Sequence, residues 1–412
     1  MIEYQMRNER GTVVAAPAWT MEQIDGSMGE LLDSFQEELP SDLDAHILIK
    51  PNLNNDLIAL TGNCTDLRVL AALVESLQGR GYTRITVADG SNVGIDRRGI
   101  DTFARLRVDA LSERLGFQLV NLNTQVGRKV QLDGGAEPRI ASIVEDCDYL
   151  ISVPTIKTHV EAGMSCAMKN WVGIVVGQDK RQMHYDLCSN IQAIHEHVSP
   201  DLVIVDGIVG MEGNGPGDGD PFRFGWLMAS NHAALCDVVV ARLIDMAIAD
   251  IPYLVHALER GMIDKADVDQ AHDAFPVLRP IRPAPPRASL AKLSEHKSLK
   301  WLKKAVRPMT DKPAVLEAAY KLGVVQDVYC PDDDEVEGVR RVESDCGPCT
   351  ACSDVCPTRL SIADIGVKTE MPDCIGCMYC WWVCPDDVIQ IHGSLRAMER
   401  QVDRYKLEIE NL

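Results

Sequence analysis

The sequence predicts an α/β domain, with a largely parallel sheet and flanking helices, followed by a small cysteine-rich domain. Two observations support this prediction. Across residues 1–275, short apolar runs alternate with stretches whose apolar residues recur at helical spacing, an order typical of parallel sheets. Further along the chain, eight of the 14 cysteines fall between residues 346 and 384. A chain of 412 residues is long enough to form both domains.

Five short apolar runs are the predicted strands of the α/β domain. They cover residues 46–49, 85–88, 118–122, 148–153 and 202–205. Three helices are predicted between and after these strands: one that Thr65 caps and that ends near Leu77, one over residues 100–115, and one over residues 231–248.

A proline-rich, basic segment separates the two domains. Residues 276–287 contain five prolines, and the stretch from Arg279 to Arg307 has nine basic residues against one acid. A solvated helix is the favoured interpretation of this stretch, and a docking surface for an acidic redox partner is the alternative. The predicted organisation is an α/β domain at 1–275, a linker with helical character at 276–335, the cysteine-rich domain at 336–393 and a C-terminal helix at 394–412.

Composition limits the classes of function. The formal net charge is −20, which argues against nonspecific nucleic-acid binding, because phosphate contacts need clustered Lys and Arg. The first residues lack the pattern of a secretory signal, and no apolar run is long enough to span a bilayer, so we expect a cytoplasmic protein. Cysteines in that compartment indicate metal ligation more than disulfides.

The cysteines form two copies of the pattern CxxCxxCxxxCP. The first copy contains Cys346, Cys349, Cys352 and Cys356, and the second contains Cys374, Cys377, Cys380 and Cys384. In this spacing three thiolates bind one 4Fe-4S cluster and the fourth ligates the other cluster. The pattern therefore predicts two clusters, one held by Cys346, Cys349, Cys352 and Cys384, the other by Cys374, Cys377, Cys380 and Cys356.

Zinc sites and a disulfide-rich knot are the alternatives to these clusters, but zinc ribbons usually supply cysteine pairs and not quartets. The segment resembles bacterial-type two-cluster ferredoxins. This resemblance implies a small α+β ferredoxin-like domain that transfers electrons.

Polar residues gather where the predicted strands end, and open parallel sheets bind ligands at that edge. Lysines there are suited to a carboxylate or phosphate, with amides as further donors, although structural ion pairs with Asp89 or Asp206 are the alternative. The candidate substrate-binding residues are Lys50, Asn52, Asp89, Ser91, Asn170, Asp206, Glu212 and Asn214. His159, Lys157 and Lys169 are the candidates for supplying protons, but a lone histidine is more often structural. The glycine-rich loop that Asp206 opens is interpreted as a cation site, a substrate contact or a tight turn.

The same segments resemble the family catalogued as domain of unknown function 362. The matching stretches are IKPNL at 49–53, DGS at 89–91, SVPTIKTH at 152–159, MKNWVG at 168–173 and DGIVGMEGNGP at 206–216. Members often carry a C-terminal ferredoxin pair. The resemblance implies a redox or electron-transfer role and a site lined by these stretches, but it assigns no catalytic residue.

Two functional hypotheses follow. In the favoured one, the protein is a reductase whose clusters pass electrons, from a redox donor protein or another low-potential reductant, to a small anionic substrate or cofactor. In the other, it is a non-enzymatic electron carrier or adaptor whose α/β domain binds a partner protein. Structural or oxygen-sensing clusters are a third option. A flavin has no support from any motif, since neither a GxGxxG fingerprint nor a Walker loop is present.

Overall fold

The structure is a computed structural model that describes residues 1–285, 330, 332–342, 346–367 and 371–412. The basic stretch beyond residue 285, including Arg287 and Arg307, lies outside the described residues. The strands are β1 (Tyr4–Arg7), β2 (Thr12–Pro17), β3 (Ile47–Pro51), β4 (Ile85–Asp89), β5 (Gln118–Asn121), β6 (Gly127–Lys129), β7 (Arg139–Ala141), β8 (Tyr149–Val153), β9 (Thr155–His159), β10 (Gly163–Ser165), β11 (Leu202–Glu212), β12 (Asp220–Ser230), β13 (Glu335–Arg341) and β14 (Ile389–Ser394).

The described helices surround and follow these strands. They are α1 (Met21–Asp33), α2 (Leu67–Gly79), α3 (Val93–Arg98), α4 (Thr102–Arg105), α5 (Val108–Leu115), α6 (Ser142–Asp146), α7 (Ala167–Asn170), α8 (Lys180–Met183), α9 (Leu187–His197), α10 (Ala233–Leu243), α11 (Pro252–Glu259), α12 (Lys265–Ala274), α13 (Ala351–Asp354), α14 (Tyr379–Trp382) and α15 (Glu399–Glu410). None of the helices within the described ranges is long and apolar enough to cross a membrane.

The α/β domain is built on one ten-stranded sheet with the order β1-β2-β12-β11-β8-β3-β4-β5, in which β9 also pairs with β11 and β10. The neighbours from β11 to β5 are parallel, whereas β1, β2 and β12 extend the sheet antiparallel. All five predicted strands are confirmed, and together they make this parallel half. Strands β3, β4, β8 and the first part of β11 are mostly apolar and buried, as expected of strands covered on both faces, whereas β5 at the edge of the sheet is partly exposed.

The glycine-rich segment after Asp206 is not the loop that the sequence suggested. Strand β11 continues to Glu212 because its backbone pairs antiparallel with β12, with a register shift between Gly207 and Val209. The tight turn is the shorter hairpin between Glu212 and Asp220.

The predicted helix starts and lengths were partly wrong. Asp66, and not Thr65, caps α2, because the Thr65 hydroxyl instead accepts from Asn52 N and donates to the Val153 carbonyl. The helix predicted over residues 100–115 is split into α4 and α5 by Arg107, whose φ is +61°. The helix predicted over 231–248 is shorter, and His232 caps it.

The C-terminal module packs directly on the α/β domain. It consists of the β13–β14 pair, the short helices α13 and α14, and α15, which lies within the predicted terminal segment. Trp382 is fully buried in a core shared with α2 of the α/β domain, while Trp381 is partly buried against that core and against the cysteines. The Tyr379 hydroxyl accepts from Leu67 N at 3.3 Å, at the start of α2. This contact brings the second cysteine motif to the edge of the sheet where the polar segments lie.

Candidate anion site and cysteine cavity

A small cavity lies at the carboxyl edge of the parallel strands. Its volume is about 70 Å³, several times the roughly 10–15 Å³ that one water molecule needs. Six of the eleven predicted substrate-binding and catalytic residues line it: Lys50, Asn52, Asp89, Lys157, Lys169 and Asn170. Strand ends β3 and β4, strand β9 and helix α7 each contribute to this set. The space is therefore suited to a small ligand.

Lys50 and Asp89 form the floor of the cavity. The Lys50 Nζ lies 2.7 Å from Asp89 Oδ1, and it also donates to the Pro51 carbonyl and to Asn170 Oδ1. Gly173 packs against this pair so closely that a Cβ would lie 2.5 Å from Lys50 Nζ. One of the structural ion pairs that the sequence left open is thus present.

Two asparagines and Lys157 form the adjoining wall. Asn52 Nδ2 donates to Asn170 Oδ1 at 3.0 Å, and Asn52 Oδ1 accepts from Lys157 Nζ at 2.6 Å. Lys157 also donates to the Asn63 carbonyl, and Asn170 Nδ2 donates to Ser152 Oγ. These bonds hold the amides and the ammonium in fixed orientations.

Lys180 is a lining residue that the sequence analysis missed. It stands on the one-turn helix α8, and its Nζ donates to Asn123 Oδ1. Gly90 allows this approach, since a Cβ there would lie 2.5 Å from Lys180 Nζ. No apolar periodicity or strand end marks this position in the sequence, so only the fold reveals it.

Burial lowers the pKa of all four lysines that line the cavity. The pKa falls to about 8 for Lys157 and Lys169 and to about 7 for Lys180, because their ammonium groups are removed from water. Burial also lowers the pKa of Lys50, with Asp89 acting in the opposite direction. Four lysines thus face one carboxylate, Asp89, among the lining residues.

The other predicted residues lie outside the lining. Asn123 Nδ2 donates to Ser91 Oγ behind the wall, and Nδ1 of His159 accepts from the backbone N–H groups of residues 161 and 162. Glu212 pairs with Arg282 at 3.2 Å, and Asn214 donates to Asp218.

Asp206 is buried next to the start of α2. Its carboxylate accepts from Asp66 N at 2.7 Å and from Ile208 N at 3.0 Å. Burial, followed by the neighbouring Asp66 carboxylate, raises the pKa of Asp206 to about 7. Asp206 therefore binds backbone N–H groups of the protein and stabilises the region around the end of the strand. It does not line the cavity.

A second, largely apolar cavity lies in the C-terminal module. Four thiols line it, those of Cys356, Cys374, Cys377 and Cys380, together with Val339, Ile365 and Ile375. Burial raises the pKa of Cys380, and the neighbouring thiols Cys377, Cys374 and Cys356 raise it further. Such thiols fit a metal cluster, because bound metal supplies the positive charge that deprotonates them. Within the described ranges, no three His, Cys, Asp or Glu side chains surround a point suited to a single metal ion.

The remaining motif cysteines lie close by. Cys346, Cys352 and Cys384 pack in one apolar core, and Cys349 and Cys346 are near enough to Cys352 to raise its pKa slightly beyond the main effect of burial. A further small cavity, lined by Cys377, Tyr379, Thr65 and Leu67, connects the module to the α/β domain.

The fold and these two sites define an α/β protein with a C-terminal iron–sulfur module. A family described as Domain of unknown function (DUF362) matches residues 47–242, and one described as 4Fe-4S binding domain matches residues 371–390. The first match agrees with the resemblance that the sequence motifs indicated, and the second supports 4Fe-4S binding and an electron-transfer role.

Several known proteins are similar to this chain. A thylakoid-associated protein of Synechocystis sp. is 28% identical over 287 residues, which cover 66% of this chain and 81% of that protein. The lactate racemase apoprotein from Thermoanaerobacterium thermosaccharolyticum superposes with a TM-score of 0.37 at 13% identity, over 54% of this chain and 56% of that one. A protein from Thermotoga maritima gives a TM-score of 0.29 at 11% identity, over 50% and 54%. The chain thus spans little more than half of either solved structure.

Proposed function

We propose that this protein is an iron–sulfur reductase that binds a small anionic substrate in the lysine-lined cavity. The observation that supports this proposal is the imbalance of charge: four lysines and one carboxylate line a space of about 70 Å³. The charge of Lys50 is compensated by Asp89. The other three lysines, Lys157, Lys169 and Lys180, are therefore left to bind a carboxylate or phosphate group.

The same lysines are suited to supply protons. A pKa of about 7 or 8 lies close to neutral pH, where an ammonium group can both hold and release its proton. An ammonium that gives its proton to the reduced substrate becomes a neutral amine, which regains a proton from water. Lys157 is held for this role by Asn52 and by the Asn63 carbonyl.

Two 4Fe-4S clusters are the proposed cofactors of the module. Cys346, Cys349 and Cys352 with Cys384 would hold one, and Cys374, Cys377 and Cys380 with Cys356 would hold the other. When bound, they would supply single electrons that an external low-potential donor protein replaces.

Protein contacts connect the two sites. Cys377 and Thr65 line one small cavity, and Thr65 Oγ1 accepts from Asn52 N at 2.7 Å. Asn52 in turn lines the lysine cavity.

We place this reductase in the cytoplasm.

The test begins with anaerobic iron and sulfide analysis, and then follows reoxidation of the dithionite-reduced protein by small carboxylates and phosphate esters. We expect about eight irons and at least one anion that accelerates reoxidation. The Lys157→Met variant should lose this acceleration, whereas Lys129→Met, which removes an exposed lysine elsewhere, should keep it. Zinc in place of iron, or no oxidising anion, would contradict the proposal.

An electron carrier or adaptor is less well supported. Within the described part of the basic stretch, Arg279 and Arg282 both interact with Glu212 of their own chain. The carrier would be favoured if the protein bound an acidic partner in a salt-sensitive way and if charge reversal at these two arginines abolished that binding.

A further inference from the structure

Arg341 occupies a fixed position at the end of β13, beside the first cysteine motif. Its backbone pairs with Ile389 of β14, and its N–H donates to the Gly366 carbonyl at 2.7 Å. Ile389 belongs to the apolar core that also contains Cys352 and Cys384. The backbone thus holds the base of this side chain next to the proposed first cluster.

The guanidinium group of Arg341 has buried donors without acceptors. Its Nε and Nη1 atoms are buried and have no hydrogen-bond partner in the described part of the chain. A buried donor left unsatisfied costs roughly 1–3 kcal/mol, and more when the group is charged. Buried groups of this kind are rare and call for an explanation.

Arg341 lies beside the core that contains the first motif. Val339, two residues before it on β13, belongs to that core together with Cys352 and Cys384. Arg107 is the arginine near Cys374 of the second motif, and its Nε donates to the Gly376 carbonyl. Of these two arginines in the described part of the chain, Arg341 is the one with buried donors that lack an acceptor.

We propose that Arg341 donates its two buried N–H groups to sulfur atoms of the cluster held by Cys346, Cys349 and Cys352, and that its charge favours the reduced state of that cluster. Reduction adds one electron to the cluster, and a nearby cation and hydrogen bonds to sulfur stabilise the added negative charge. This inference rests on the two-cluster module of the proposed function.

The test is a redox titration of the anaerobic holoprotein, followed by electron paramagnetic resonance. In Arg341→Gln, the equilibrium constant for reducing one cluster should fall at least tenfold, which is about 59 mV for a one-electron couple. The other cluster should titrate as before. Arg340→Gln is the matched control, because it removes the same charge from the exposed neighbour on the same strand and should shift neither cluster.

Arg341→Lys separates charge from structure, since it keeps the cation and should shift the affected cluster less than Arg341→Gln. Equal shifts in both Arg341 variants, or titrations like that of the parent, would overturn the inference. Loss of half the iron in both variants would also overturn it, by showing that Arg341 holds the fold of the module. A parent protein without iron would instead refute the two-cluster module itself.

Discussion

Lys50 and Asp89 form an ion pair beneath the lysine cavity, with 2.7 Å between Nζ and Oδ1 and both side chains almost fully buried. The Asp89 carboxylate also accepts from the backbone N–H groups of Leu53 and Gly90. Since Gly173 packs against the pair, these contacts join the ends of β3 and β4 to the segment after α7. The pair therefore positions three of the segments that line the cavity.

Replacing Asp89 with Asn is expected to lower the free energy of unfolding by about 3–5 kcal/mol, because the buried Lys50 ammonium loses its counter-charge. Urea denaturation followed by tryptophan fluorescence measures this change. The double variant Lys50→Met/Asp89→Asn removes both charges and should recover most of the loss. Equal losses in the single and double variants would show that the hydrogen bonds of Asp89, and not the ion pair, stabilise this region.

The lowered pKa of Lys180 should make the free energy of unfolding increase with pH. Its pKa falls on folding from 10.5 to about 7, so between these values the unfolded chain holds a proton that the folded protein lacks. The contribution of Lys180 to the free energy of unfolding therefore rises as pH increases from about 7 to 10.5. In Lys180→Met the rise should be shallower by up to about 1.4 kcal/mol per pH unit. Parallel profiles for this variant, the parent and Lys129→Met would contradict the assignment.

Anion binding should depend on pH in the opposite direction. Phosphate favours the ammonium form of Lys157, Lys169 and Lys180, whose pKa values are about 8, 8 and 7. Its affinity should therefore fall between pH 6.5 and 9, up to tenfold per unit for each lysine that must gain a proton. Calorimetry in two buffers of different ionisation enthalpy should detect proton uptake at pH 7.5. An affinity independent of pH would remove these lysines from the binding site.

The sequence was sufficient for the parallel half of the sheet and insufficient for the rest. Strands β3, β4 and β8 are mostly apolar and are buried at every position, the pattern of strands covered on both faces. Strand β12 mixes exposed and buried residues, and β1 is short and mostly polar, so neither has a strong pattern. Thr65 and Asp66 are both good helix caps, and only the tertiary bonds of the Thr65 hydroxyl decide between them.

The site was predictable to the extent that it lies at strand ends. Lys50 and Asp89 could be placed because each ends a parallel strand, and such ends meet at one edge of a sheet. Lys180 could not be placed from the sequence, because its position depends on how the chain between β10 and β11 folds back over the cavity. Glu212 was placed at the site because glycines surround it, yet it lies in a strand and pairs with Arg282.

The exchange of the fourth cysteine between motifs can be tested by comparing serine variants. If Cys356 belongs with Cys374, Cys377 and Cys380, then Cys356→Ser and Cys377→Ser should abolish the same electron paramagnetic resonance signal, whereas Cys352→Ser should abolish the other. Cys147→Ser, a variant of a cysteine in the α/β domain, should keep both signals. Loss of the same signal in Cys356→Ser and Cys352→Ser would assign each motif to its own cluster.

Arg105 connects the α/β domain to the segment just before β13. Its Nη1 lies 2.7 Å from Asp56 and its Nε lies 2.9 Å from Asp333, and its side chain is only 4% exposed. Arg105→Met should cost about 3 kcal/mol, because Asp56 remains largely buried without its partner. Limited proteolysis should then release the module faster than from the parent.

Arg114→Met is the matched control for this interface. Arg114 pairs with Asp373 of the module, but the two side chains are 32% and 55% exposed, and exposed pairs contribute at most about 1 kcal/mol. Its proteolysis should therefore remain close to that of the parent. Similar rates for the two variants would mean that apolar packing around Trp382, and not the contact between Arg105 and Asp333, holds the module in place.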